Sequence, residues 1–264
     1  FSMPESCAVA LDGLRRAAAC KAIAAAAAGS PRASPQQLPA TLPAGTLDEA
    51  QSKALFAHFG VPCTREQVVA SEQEAVTAAR ALGGRVVLKL LSSEITHKSD
   101  IGGVIVDLAP DAMPDALARM THAVAARTGA KPTRFLVQEM VPAGTELILG
   151  CKRDPLGLVV LLGAGGIATE IYQDTAMRLL PPRGELGFSD AIEMARELKT
   201  WPLLDGYRGR PAADIDALAN AIVSFSRMVA SLGDRLLEAE INPIFVLPKG
   251  QGAKAADGVV KLAG

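Results

Sequence analysis

Aromatic side chains are scarce. Phe, Trp and Tyr make up only 4% of the 264 residues, with one tryptophan and two tyrosines. That is too few for a platform of rings on which nucleic-acid bases stack. A basic excess is missing too: 27 Lys and Arg face 28 Asp and Glu, a formal net charge of −1. Such a chain binds an anion only where it builds a local site, and no nucleic-acid partner is expected. The four cysteines, Cys7, Cys20, Cys63 and Cys151, form no Cys-x-x-Cys pair and join no His/Cys cluster. They carry no zinc signature and fit reduced thiols in a cytoplasm. No basic segment followed by an apolar one opens the chain, so no secretory signal is expected. The run "AAACKAIAAAAAG" is short and interrupted by Lys21. It is a helix former and not a membrane span.

What is present is core material: 49% hydrophobic against 21% charged residues argues against global disorder. Phe1-Ser2-Met3 reads as a remnant joined to native sequence, and the chain then as a piece of something longer. Residues 4–28 read as Ala-rich helix. The four prolines of "GSPRASPQQLPATLPAG" mark a linker, so residues 1–45 form an N-terminal segment and the folded body begins at Thr46. "TLDE" predicts a helix capped by Thr46 with Glu49 reaching back, and Gly60 ends it. "SEQE" caps a second helix that runs to Gly83. The strands "RVVLKLL", "VIVDL" and "RFLVQEMV", with a helix over about 110–129, give an α/β pattern. Further on, "TELILGCK" and "LVVLLG" fit an antiparallel pair. A helical segment lies near 189–199. Ile215, Leu218, Ile222, Phe225, Val229 and Leu232 recur at spacings of 3, 4, 3, 4 and 3, an amphipathic helix closed by Gly233. Two terminal strands follow.

Between two strands of the first half lies "SSEITHKSDIGGV", residues 92–104. Just before it, Lys89 places an ammonium in a strand that looks buried, which is costly without an anionic partner. It reads either as a lysine reaching phosphate oxygens or as an edge-strand lysine whose stem snorkels. Gly102 and Gly103 permit close backbone approach, so their N–H groups can cradle an anion, and Lys98 adds charge. Alone, such a pair is as readily a plain turn. His97, between Thr96 and Lys98, is either an exposed loop histidine or an acid, base or phosphate acceptor. In "LEAEINPI", Glu240 and Asn242 are two apart and share a strand face. A carboxylate and an amide oxygen there suit a hard cation such as Mg²⁺, and Asp257 on the return strand can add an oxygen. The same row, Glu238 included, can also be a solvent-facing polar one. Pro243 is expected to bend or end the ladder, as at an edge. "LGAGGIATEIYQD" is glycine-rich but is neither GxGxxG nor a P-loop. Glu139 ends a strand and Val141 leads into Pro142, a crossing between two lobes.

In order along the chain, "VVLKLLSSEITHKSDIGGV", "VQEMVPAGTELILGCKRDP", "GAGGIATEIYQDTAMRLLPP", "LLDGYRGRPAADIDAL" and "EAEINPIFVLPKGQG" resemble the ATP-grasp domain of the NDP-forming (ADP-forming) acyl-CoA synthetases. These are relatives of the succinyl-CoA synthetase β subunit. The resemblance runs from about Thr46 to the C-terminus and is specific as an ordered set. It implies an α/β (α+β) ATP-grasp fold, with lobes over residues 46–141 and 142–264 clamping a nucleotide. It implies that Lys89 and Lys98 meet phosphates, that Gly102 and Gly103 form a phosphate-covering loop, and that Glu139 and Val141 receive adenine with Glu146 near the ribose. Glu240, Asn242 and Asp257 match Mg²⁺ positions, and His97 matches a histidine that carries phosphate between the ligase part and ADP. Gly165, Gly166, Glu170 and Asp174 would dock an incoming phosphohistidine loop. ATP or ADP is then the substrate, CoA-binding and ligase domains are the partners, and the reaction is acyl-CoA + ADP + phosphate ⇌ acid + CoA + ATP. The hairpin "RDPLGLVV" departs from the family's pattern, one residue short and without its aromatic. A regulatory nucleotide-binding module of a synthetase-like protein acetyltransferase is the alternative implied.

Overall fold

Two antiparallel sheets divide the chain in the computed structural model, which describes residues 7, 11, 14–15, 37–95, 98–141, 144–166, 174–181 and 184–264. The expected Ala-rich helices, apart from four isolated residues, lie outside the described residues, as do His97 and Glu170. The smaller sheet holds β2 (Glu66–Val69), β3 (Val86–Leu90), β4 (Val104–Leu108) and β5 (Phe135–Glu139) in the order β2-β5-β3-β4. The alternation that reads as α/β therefore folds into an antiparallel layer, with β5 inserted between β2 and β3. The larger sheet runs β1 (Gly45–Thr46), β11 (Gly258–Leu262), β9 (Leu236–Val246), β6 (Thr145–Asp154), β7 (Gly157–Ala164) and β8 (Thr175–Leu179), and β10 (Ala253–Ala255) also pairs with β9. The β6–β7 hairpin turns at Pro155-Leu156, between the paired Asp154 and Gly157.

The first helix, α1 (Glu49–His58), starts later than the sequence suggests. Asp48 is its cap: Asp48 Oδ1 accepts from Gln51 N at 2.9 Å, and Gln51 Oε1 accepts from Asp48 N at 3.0 Å. Thr46 is committed to β1, opposite Lys261, so it cannot cap, and Glu49 is released from the role expected of it. Ser71 does cap α2 (Glu72–Leu82), accepting from Glu74 N. The long third helix, α3 (Met113–Thr128), ends on Gly129 at φ +73°, the left-handed geometry that suits glycine. It packs with α2 on the smaller sheet around Leu88, Met113, Met120 and Val137.

Helices α4 (Phe188–Glu197), α5 (Trp201–Leu204) and α6 (Ile215–Leu232) contribute to the core of the larger sheet. The α6 spacing read from sequence is its packing face, with Leu218, Ile222, Phe225, Val229 and Leu232 buried and Gly233 following. The segment Ile215–Arg235 is also long and apolar enough to cross a membrane by length and composition alone. Helix α1 joins this larger core although it precedes the smaller sheet in the chain. Its Phe56 ring lies 6.0 Å from that of Phe225, and Leu47 N, just before it, bonds Val260 O at 2.9 Å.

Strand β9 is interior, between β11 and β6, and Pro243 does not end it. The ladder absorbs the proline in a bulge: Asn242 and Pro243 stand between Ile241 and Ile244, while β6 offers only Ile148 between the paired Leu149 and Leu147. The Asn242–Pro243 peptide is cis. Bulges re-aim side chains, and this one falls beside the expected cation ligands.

Candidate functional site

The smaller sheet presents Lys89 to the larger one. All five residues of β3 are buried, and the strand is interior, so the edge-strand reading of Lys89 does not apply. Its ammonium donates to Glu49 Oε1 at 2.7 Å and Ala256 O at 2.8 Å, with Asp257 Oδ2 at 3.5 Å. Lys98 Nζ donates to the other oxygen of the same carboxylate, Glu49 Oε2, at 2.8 Å. Lys53, one turn along α1, lies 3.8 Å from Glu49 and donates to Thr64, Gln138, Glu66 and Ala256. Three ammoniums and the carboxylates of Glu49, Glu66 and Asp257 thus share one buried cluster. Burial opposes the charge on Glu49, but Lys89, Lys98 and Lys53 outweigh it and hold the carboxyl below its ordinary range. Burial likewise opposes the charge on Lys89; Glu49 and Asp257 outweigh it and raise its pKa.

Glu49 is the residue that sequence reading missed. Its signal is periodic: Glu49 and Lys53 are in phase with Phe56 at i, i+4 and i+7, so charges occupy the buried face of α1.

Lys98 precedes a 3₁₀ turn, Ser99–Ile101, that ends on Gly102 at φ +77°. Gly102 N donates to Ser99 O and Gly103 N to Lys98 O at 2.7 Å. These N–H groups are spent inside the turn, so cradling an anion would require it to open. Gly103 is needed for packing as well, since a Cβ there would meet Lys98 O at 2.9 Å.

Two of the three expected cation ligands touch through their side chains, and the third, Asp257, meets Asn242 through the backbone. Asn242 Nδ2 donates to Glu240 Oε1 at 3.2 Å, and Asn242 N donates to Asp257 O at 3.1 Å. Burial lifts the Asp257 carboxyl above its ordinary pKa even against Lys89, so its anion has stabilisation to gain from a cation. Among the described residues no group of three or more His, Cys, Asp or Glu could hold a metal ion. The two carboxylates and the amide would offer only a sparse oxygen set, of the kind on which Mg²⁺ is usually shared with substrate phosphates. Glu238 lies away from them, exposed, opposite Lys152 and Lys261 in the ladder.

Glu139, expected at the adenine hinge, has its carboxylate taken up by other side chains and the backbone. Its carboxylate accepts from Arg65 N at 3.0 Å, Arg65 Nε at 2.7 Å and Lys254 Nζ at 2.6 Å. Burial opposes its charge, but these donors pull the pKa down to about 2. Val141 is half-buried at the end of the same segment. Glu146 is exposed, and its backbone carbonyl accepts from Gly165 N at 2.8 Å. Gly165 and Gly166, expected at a docking surface, therefore adjoin Glu146. Asp174, 2% exposed, accepts from Lys199 N at 2.6 Å and Thr200 N at 2.8 Å, which ties β8 to the start of α5.

The chain that builds this cluster of buried lysines and carboxylates has a match among known families. A family model described as ATP-grasp domain covers residues 41–262. The chain belongs to the ATP-grasp family. Within that family it is 38% identical over 222 residues to a trans-feruloyl-CoA synthase from an unknown prokaryote, covering 82% of this chain and 30% of that protein. It is 32% identical over 219 residues to the β subunit of an ADP-forming acetate–CoA ligase of Pyrococcus furiosus, covering 82% of this chain and 91% of the subunit. Among solved structures, acetyl-coenzyme A synthetase 1 of Ca. Korarchaeum cryptofilum aligns over 83% of this chain. With coenzyme A and Ca-AMPCP it gives a TM-score of 0.76 at 34% identity over 94% of its chain. With Mg-AMPPCP, and its phosphohistidine segment pointing towards the nucleotide site, it gives 0.70 at 32% over 93%. These relatives are CoA ligases and not acetyltransferases, which does not favour a regulatory acetyltransferase module. The ATP-grasp chain spans under a third of the fused relative and nearly all of the separate subunit.

Proposed function

We propose that this chain is the nucleotide half of an ADP-forming acyl-CoA synthetase, acting with CoA-binding and ligase domains in a cytoplasm. The overall reaction is acyl-CoA + phosphate + ADP ⇌ acid + CoA + ATP, with this chain passing a phosphoryl group between a histidine and ADP. The observation that carries the reading is the pair of buried lysines, Lys89 and Lys98, gathered on Glu49, with Asp257 3.5 Å from Lys89 and itself bonded through its backbone carbonyl to Asn242. Phosphoryl transfer asks for charge neutralisation and alignment more than covalent chemistry. Lys89 and Lys98 would neutralise phosphate oxygens. Glu240, Asn242 and Asp257 would hold Mg²⁺, which supplies further neutralisation when bound. Val141 and Glu146 are the residues assigned to adenine and ribose, with Glu139 bracing the same strand. His97, the residue before Lys98 in the sequence, would accept the phosphoryl group on an unprotonated ring nitrogen and return it to ADP. Gly165, Gly166, Glu170 and Asp174 would shape the surface that receives the partner's phosphohistidine segment.

The test is calorimetric titration of the chain with ADP and ATP, with and without Mg²⁺. Binding should depend on Mg²⁺, weaken by about tenfold or more in Lys89→Ala, and lose its Mg²⁺ dependence in Asn242→Ala. Wild-type affinity in a folded Lys89→Ala variant would place the nucleotide elsewhere.

A further inference from the structure

We propose that Glu49 is a positioning residue for the nucleotide phosphates: a fixed internal anion that sets the spacing and orientation of the Lys89 and Lys98 ammoniums from behind. The proposal rests on the nucleotide reading above and adds a residue to which the sequence motifs gave no part in the site.

Three observations carry it. First, one carboxylate serves both lysines, Oε1 to Lys89 at 2.7 Å and Oε2 to Lys98 at 2.8 Å. The two lysines come from different places, β3 and the turn after it, and Glu49 comes from a helix of the other core. Among the described residues the backbone of Lys98 is linked to β3 through Gly103, whose N–H donates to Lys98 O and whose carbonyl accepts from Leu90 N, both at 2.7 Å. Without Glu49, Lys89 would keep Ala256 O and Asp257, but the long flexible side chain of Lys98 would have to be ordered by the ligand itself, at a cost in rotamer entropy.

Second, exposure rises in one direction. Side-chain exposure is 1% for Glu49, 7% for Lys89, 10% for Lys98 and 32% for Asp257. Asn242, beyond Asp257, is exposed. The cleft therefore opens on the Asp257–Asn242 side, and Glu49 is on the closed side. A carboxylate there does not occupy the entry path of a phosphate, so it acts as a backstop and not as a plug.

Third, Glu49 is itself fixed. It begins α1 inside the Asp48–Gln51 capping box, and Lys53 on the next turn approaches it at 3.8 Å while anchored to Thr64 and Gln138. An immobile anion with an ammonium on each oxygen is a preorganised bracket.

The test separates positioning from mere stability by using two nucleotides that differ in one phosphate. Affinities for Mg²⁺-ADP and for AMP are measured on wild type, Glu49→Gln, Glu49→Asp and Lys89→Ala, with thermal melting of each. In Glu49→Gln, ADP affinity should fall by about tenfold or more while AMP affinity stays within about twofold. Glu49→Asp keeps the charge but withdraws it by one methylene, and should recover part of the ADP affinity. If Glu49→Gln does not fold, Glu49→Asp carries the test, with a smaller selective loss for ADP. Equal losses for ADP and AMP would make Glu49 a structural residue only. Unchanged or tighter ADP binding in a folded variant would overturn the backstop. Either result with a weakened Lys89→Ala leaves the nucleotide site standing, whereas an unaffected Lys89→Ala removes both.

Discussion

Glu139 shows what a single carboxylate can do when three donors converge on it. Arg65 and the chain at its own N–H hold it within the smaller lobe, and Lys254 reaches it from β10. Its folded pKa of about 2 lies below the ordinary value of 4.5. The stability it contributes is therefore complete above the ordinary range and is lost as pH falls through 4.5 towards 2. Glu139→Gln should cost at most about 3 kcal/mol near neutrality, and the difference from wild type should shrink steadily as urea melts are repeated from pH 6 down to pH 3. A pH-independent difference would mean that the carboxylate's charge is not what matters. The site residues differ in how far sequence exposes them. Glu240 and Asn242 are legible because strand periodicity is local. The partner of Lys89 is not, because Glu49 lies 40 residues away and meets it only through packing. A neighbouring threonine also hid Glu49, since Thr46 made it look like part of a cap.

At the scale of elements, close approaches set the rules. A Cβ on Gly165 would lie 2.7 Å from the carbonyl carbon and 2.8 Å from the oxygen of Glu146, both backbone atoms that cannot swing aside. Gly165→Ala should cost about 1–3 kcal/mol in chemical denaturation, as overpacking does. Phe56, fully buried between α1 and the larger sheet, should cost about 3–5 kcal/mol when cut to alanine. Elements with their own punctuation are legible in the sequence: Ser71 begins α2, Gly129 ends α3, and α6 repeats its apolar spacing without a break. The order of strands is not, because β5 enters between β2 and β3 through long-range pairing that no local pattern records. Nor is the bulge that lets Pro243 sit inside an interior strand.

Across the whole molecule, polar and charged side chains join the two cores. Lys89 and Lys98 meet Glu49, Lys53 meets Gln138, and Glu139 meets Lys254, each pair linking a smaller-sheet segment to the larger core. A nucleotide placed in the cleft would load several of these links at once. Mg²⁺-ADP should therefore slow amide hydrogen exchange together at the start of α1, along β3 and around Ala256–Gly258, while leaving the far end of α3 unchanged. Protection confined to one of these segments would contradict a shared cleft.

The placement of α1 also bears on how the chain is made. The helix emerges early, yet Val260, which bonds both Leu47 and Ser52, is about 200 residues further on. At about 5–20 residues per second, synthesis leaves α1 without its sheet for roughly 10–40 s. Throughout that interval Phe56 and Phe59 remain uncovered, and the nascent chain offers a chaperone a short aromatic helix well before it offers anyone a nucleotide site.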